Sequence, residues 1–280
     1  MPTFDTPDAI EVTARVDAGS IRFTASERTD TVVEVRPRDP EKSLDARTAE
    51  RTEVGHTGGT LTIRTPRSGR FGRPGTVDVT VELPTGSHLD VSGAWTQVLG
   101  EGRFGEVRVK TSSGDTRLST TGPLHLTAAH GSVTVERVEG KAEITTSTGS
   151  LRVGLIEGPA VLRNSHGGTS VDTATGELRV SNADGDIEIG RAAGSVTATT
   201  AHGTVRVDEV ACGAVRLETA HGAVEVGVRE GTAAWLDISA GSGRVRNTLT
   251  ASGPPERTED TVRIRARTGH GDIRVGRART

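Results

Sequence analysis

The residues best placed for chemistry stand immediately before glycine at regular intervals: His130, Thr148, His166, Asp184, His202 and His221, spaced 18, 18, 18, 18 and 19 residues apart. His270 holds the same place before Gly271. If the chain returns to one corner on every repeat, neighbours in this column lie about 4.8 Å apart. Imidazoles and a carboxylate at that spacing can share a divalent metal, so His130, His166, Asp184, His202 and His221 are the candidate ligands. Turn chemistry competes with that reading, because His, Asp and Asn are enriched where a non-glycine residue adopts a left-handed conformation.

Other chemistry finds less support. Asp184 and Asp186 are two apart, but Asp-Gly-Asp is common turn sequence, and glycosidic cleavage needs two convergent acids. The sequence has no Gly-x-Ser-x-Gly elbow, no His-Glu-x-x-His and no phosphate loop carrying a lysine. Catalytic residues and cofactors are therefore assigned to none, and a polysaccharide-acting enzyme is the weakest alternative. Arg263, Arg265 and Arg267 alternate with Val262, Ile264 and Ala266, giving one strand with three outward cations. They suit a phosphate or acidic-partner site or, more simply, a charged edge that blocks end-to-end aggregation. With two Trp, four Phe and no Tyr, the surface lacks aromatic platforms for sugars or single strands. Trp95 and Trp235, near the two ends of the regular repeat, read as plugs of the core.

The elements that must position these residues follow from the repeat itself. The pattern Gly, any, apolar, any, apolar starts at Gly105, Gly122, Gly140, Gly158, Gly176, Gly194 and Gly213. A second series interleaves at Gly114, Gly131, Gly149, Gly167, Gly185, Gly203 and Gly222. Each unit is a short strand plus a turn, and two units make one coil of about 18 residues. Side chains alternate along a strand, so positions two and four after each glycine face the interior. A five-residue strand cannot bury that face alone, but stacking it on the next coil makes a continuous core.

Position six of the first series runs Thr111, Ala128, Thr146, Asn164, Asn182, Thr200 and Thr219 and points inwards at a corner, where stacked Asn164 and Asn182 are expected to hydrogen-bond along the axis. An outward column, Arg117, Thr134, Arg152, Ser170, Glu188, Arg206, Glu225 and Arg246, alternates sign over its last four members, as suits adjacent strands.

Residues 1–92 are less regular and are expected to cap the solenoid, with a short helix within Glu41 to Glu53 and a loop over Pro66 to Gly75. Residues 93–250 form the regular solenoid, and 251–280 supply capping strands after a loop around Ser252-Gly-Pro-Pro-Glu, all in one continuous domain.

A formal net charge of -3 gives no global field for nucleic acid or anionic membrane. The single cysteine, Cys212, rules out an internal disulfide framework. The opening Met-Pro-Thr-Phe-Asp-Thr-Pro-Asp has no basic region followed by an apolar one, and no later run approaches a membrane span. The expectation is a cytoplasmic protein without membrane insertion.

Gly-Asp-Ile-Glu-Ile, Thr-Ala-His-Gly-Thr-Val-Arg-Val and Asn-Ala-Asp-Gly-Asp-Ile, with the opening Phe-Asp-Thr-Pro and the later Val-Glu-Leu-Pro-Thr-Gly, resemble the bacterial putative-adhesin family of β-strand repeat proteins, of the actinobacterial type. The resemblance covers most of the chain. It implies an all-β fold, a right-handed parallel β-solenoid, and no established activity, and it carries over no functional residues. The functional expectation is a non-enzymatic scaffold or protein-interaction module that presents polar side chains at fixed spacing to a protein partner. A metal-binding histidine corner is the alternative.

Overall fold

The computed structural model describes residues 1–66, 74–250 and 260–278. The expected loop at Pro66 to Gly75 falls largely outside the described residues, and the one around Ser252 wholly so. The chain forms two compact units, Met1–Glu139 and Gly140–Thr280. No helix among the described residues is long and apolar enough to cross a membrane.

Unit 1 contains β1 (Thr3–Asp5), β2 (Glu11–Arg15), β3 (Ala18–Ser26), β4 (Asp30–Pro37), the helix α1 (Ser43–Glu50), β5 (Glu53–Thr57), β6 (Thr60–Arg64), β7 (Val77–Pro84), β8 (His88–Phe104), β9 (Val107–Ser113), β10 (Thr116–Thr121), β11 (Leu124–His130) and β12 (Val133–Val138). The 17-residue β8 supplies both sides of one coil. Its first half runs parallel to β2 and β9, and its second half parallel to β3 and β10. The coils stack in the order β6/β7, β2/β3, β8, β9/β10, β11/β12, so the first coil in the chain lies second in the stack. The outer side of β6/β7 is closed by antiparallel partners, β5 on β6 and β4 on β7. The helix rests against β4 and β7, and the Asp45 carboxylate accepts the Thr76 N–H at 2.8 Å. That closure leaves Leu61, Ile63, Val77, Val79 and Val81 fully buried.

Unit 2 contains β13 (Ala142–Thr148), β14 (Leu151–Ile156), β15 (Ala160–His166), β16 (Thr169–Ala174), β17 (Leu178–Asp184), β18 (Ile187–Ala192), β19 (Val196–His202), β20 (Val205–Val210), β21 (Gly213–His221), β22 (Val224–Val228), β23 (Ala233–Ser242), β24 (Val245–Asn247), β25 (Thr261–His270) and β26 (Ile273–Arg277). All ladders within it are parallel. Residues 18 apart pair through the first four coils, as in Leu151 with Thr169 and Thr169 with Ile187, and the step into β21/β22 is 19. The expected all-β solenoid with two short strands per coil and one N-terminal helix is what forms.

The end of unit 2 departs from chain order. β25 and β26 pair on β21 and β22, and β23 and β24 pair on the far side of β25 and β26. The last coil of the sequence is thus inserted before the one that precedes it. Among the described residues β23 and β24 have no second neighbour.

Positions two and four after the glycines are buried throughout the middle coils, for example Leu178, Val180, Ile187, Ile189, Val205 and Val207. Each such side chain contributes about 1.5–3 kcal/mol by leaving water. The corners need glycine for two reasons. Gly185 takes φ of 131°, and a Cβ added there would overlap the carbonyl oxygen of Gly167 in the coil below. The same corner carbonyls are satisfied by the inward polar column. Asn164 Nδ2 donates to Gly149 O at 2.9 Å, Thr200 Oγ1 to Gly185 O at 3.2 Å, Thr219 Oγ1 to Gly203 O at 2.9 Å and Thr268 Oγ1 to Gly222 O at 2.9 Å. Asn182 stacks on Asn164 in register, as expected, but the two amides do not bond to each other. Asn182 Nδ2 donates to Gly167 O at 3.3 Å and its Oδ1 accepts the Thr169 hydroxyl at 3.0 Å. Corner carbonyls thus take the side-chain N–H groups of both amides, and Asn164 Oδ1 is left buried without a partner among the described residues.

Candidate functional site

The histidine column is real and continuous within unit 2. In register it runs Thr148, His166, Asp184, His202, His221, His270 and then Ser242. His130 ends β11 in unit 1, where it pairs with Ser113. His270 lies directly on His221, a placement that follows from the inserted coil and that linear spacing does not give.

Each member is the last residue of its strand, with the corner glycine next. None takes a positive φ, and among the described residues only glycines do. The left-handed explanation for histidine at these positions is therefore overturned: Gly167, Gly185, Gly203, Gly222 and Gly271 absorb the left-handed turn, and the residue before them is free to be chosen for its side chain.

Those side chains stand in solvent. Asp184, 50% exposed, lies between two imidazoles, with His202 Nδ1 at 2.9 Å from one carboxylate oxygen and His166 Nε2 at 3.4 Å from the other. His202 and His221 stack with ring centroids 5.1 Å apart and planes 12° from parallel, and His221 and His270 at 5.0 Å and 19°. Lone pairs of stacked rings lie in parallel planes and point side by side. They do not converge on one point, and among the described residues no three His, Cys, Asp or Glu side chains gather closely enough to hold a metal. As placed, the column is an exposed row of donors and acceptors at the coil spacing.

A second column corrects the expected alternation of charge. It runs Arg152, Ser170, Glu188, Arg206 and Glu225, then Arg274 and last Arg246. Arg274 donates to Glu225 at 3.1 Å, whereas Arg246 stacks on Arg274 as a like charge. A cleft of about 770 Å³ opens here, lined by Arg206, Glu225, Arg246, Arg274 and Arg277 among others.

The other face of the same end carries Arg263, Arg265 and Arg267. They do not mark a protected edge, because β25 is paired on both sides; the edge is β23. Asp237 on β23 accepts Arg267 at 2.7 Å and lies 3.6 Å from Arg265. Arg263 pairs in register with Trp235. Neither tryptophan plugs the core: Trp95 is 61% exposed and Trp235 66%. Odd positions of β23 carry outward side chains, so Trp235 lies on the solvent side of its strand, beside a groove of about 470 Å³ that includes Ala214, Leu236, Arg263 and Ile264.

Sequence reasoning missed the open edge, although a signal existed. Gly271-Asp-Ile-Arg-Val has apolar residues at both inward positions, whereas Gly243-Arg-Val-Arg-Asn has Asn247 at the second. The weaker pattern marks the coil that is covered on one side only.

The family described as Toastrack DUF4097 matches residues 9–193 and 172–280. A search of curated proteins finds no match. Among solved structures, the chain is similar to a putative lipid binding protein from Parabacteroides distasonis, at 11% identity over 98% of this chain and 95% of that one, with a TM-score of 0.43. It is similar also to a putative adhesin from Bacteroides fragilis, at 15% identity over 98% and 95%, with a TM-score of 0.38. Since the family match takes in both units and more than half of the sequence, the chain belongs to the Toastrack DUF4097 family.

Proposed function

We propose that this chain is a non-enzymatic β-solenoid scaffold that presents fixed columns of side chains to a protein partner in the cytoplasm. The observation that carries the reading is the exposed row from His166 to His270, whose spacing is set by the backbone ladder and whose residue types the turn does not demand. Such a row binds by matching a repeat in its partner and needs no convergent catalytic set. The one thiol, Cys212, is unpaired and suits a reducing compartment.

Pull-down from the native cell with the full chain tests this. A stoichiometric partner retained by the wild type and lost by the His202→Ala, His221→Ala double variant is the expected result; repeated recovery of no partner overturns it.

A divalent metal at Asp184 is the second reading, favoured by the imidazoles on either side of that carboxylate. It requires the His166 and His202 rings to turn towards a common point. Stoichiometric metal in protein purified without a histidine tag, absent from the double variant, would carry it.

A further inference from the structure

We propose that the free edge of β23 receives an extended acidic segment of a partner protein, which adds to the sheet as one more strand. This rests on the scaffold reading and names where a partner docks and what chemistry it brings.

Three observations converge on that edge. The first is unpaired backbone. Ala233 N–H donates to Asp260 O at 3.0 Å, and in a parallel ladder both polar groups of one residue point to the same side. The odd residues of β23 therefore bond to β25, and the N–H and C=O groups of Ala234, Leu236, Ile238 and Ala240 face the open side. No described residue pairs with them. Unit 1 treats its own terminal coil differently, closing β6 and β7 with antiparallel strands.

The second is unfinished burial. Leu236 and Ile238 hold inward positions yet are only half-buried, and Val245 is 49% exposed. The equivalent inward residues one coil below, Ile264 and Ala266, are buried. A strand laid on β23 would bring the terminal coil to the same state, and Trp235 beside the edge offers a large apolar surface to its side chains.

The third is charge, which selects the occupant. The described residues of the last two coils, 233–247 and 260–277, carry seven arginines against three aspartates, on a chain whose net charge is -3. Arg263, on β25 one rung in from the edge and in register with Trp235, has no carboxylate partner among the described residues, while Asp237, the one charged side chain of β23, is already met by Arg265 and Arg267. A basic partner, or a strand without charge, leaves Arg263 unanswered; a glutamate or aspartate on the outer face of the added strand beside Trp235 meets it.

The probe is a blocked, fluorescent ten-residue peptide alternating Glu and Val, with a Lys–Val peptide as counterpart, titrated into the full chain. The Glu–Val peptide should bind at least about tenfold more tightly than the Lys–Val peptide, and the preference should shrink as salt is raised. Ala240→Pro removes one edge-facing N–H that makes no bond in the free protein, a position where an edge strand tolerates proline. It should weaken the Glu–Val peptide by at least about tenfold while unfolding remains cooperative at an unchanged midpoint. Hydrogen exchange should show the Leu236 and Ile238 amides fast in the free chain and slowed by the peptide.

Equal binding of both peptides overturns the proposal, as does binding that Ala240→Pro leaves intact. Slow Leu236 and Ile238 amides in the free monomer would show that the chain covers its own edge, and a dimer broken by Ala240→Pro would show that a second copy occupies it; either result overturns the acidic segment. A partner from the cell that still binds the Ala240→Pro variant would sink this inference and leave the scaffold reading standing.

Discussion

At the scale of single residues, the corner glycines hold the fold and the residues before them are available for function. Gly185 combines a φ of 131° with a Cα seated on the carbonyl of Gly167, so alanine there meets both backbone strain and backbone overlap. Gly185→Ala should lower stability by about 2–4 kcal/mol in chemical denaturation. Gly168→Ala is the control, since a Cβ there meets nothing nearer than Asp186 O at 3.8 Å, and it should change stability by less than about 0.5 kcal/mol. Equal effects would show that the corner conformation is not what glycine supplies.

Asp78 is a second residue with a measurable signature. Partial burial pushes its carboxyl up, but the hydrogen bonds from Arg38 and Ser20, each at 2.6 Å, outweigh that and hold it below the usual value of 3.8. A carboxylate with a depressed value in the folded state stabilises the fold above its unfolded value and loses that contribution as pH falls through the folded one. Asp78→Asn should therefore cost stability at neutral pH, and the gap from wild type should narrow only below about pH 4. A gap that stays constant down to pH 2 would contradict the ion pair.

At the scale of elements, strand parity and coil spacing made most of the fold legible. The two glycine series place positions two and four inside, and Ile187, Ile189, Val205 and Val207 are buried there. The helix forms within its expected stretch, as Ser43–Glu50. Partner choice was less legible than position. Stacking Asn164 and Asn182 followed from spacing, but a corner carbonyl competes successfully for each amide, and spacing says nothing of acceptor geometry. The plug expected at Trp235 rests on its size and its place near the end of the repeat. Its odd position in β23 puts it outward, and parity, properly applied, would have said so.

At the scale of the whole molecule, both units insert a terminal segment of the chain one place inside its stack: β2/β3 between β6/β7 and β8, and β25/β26 between β21/β22 and β23/β24. Linear spacing cannot reveal this, because length and parity repeat from coil to coil, and only the polar Asn247 at an inward position marks the outermost coil. The consequences are physical. The pairing of Val224 with Ile273 spans 49 residues where the ordinary step spans 18, so closing it costs more chain entropy and should come late in folding. The insertion also puts Arg274 against both Glu225 and Arg246, completes the histidine row with His270, and leaves β23 as the open edge on which the docking inference rests.

Disulfide trapping reads that strand order directly. In a Cys212→Ser background, cysteines replacing Glu225 and Arg274 sit one rung apart, about 4.8 Å between Cα atoms and within bridging range. Cysteines replacing Glu225 and Arg246 sit two rungs apart, about 9.6 Å and beyond it. Mild oxidation of the folded protein should close the first pair rapidly and leave the second reduced. Rapid closure of the second pair with none in the first would mean that β24 lies directly on β22 and that the open edge belongs to β25.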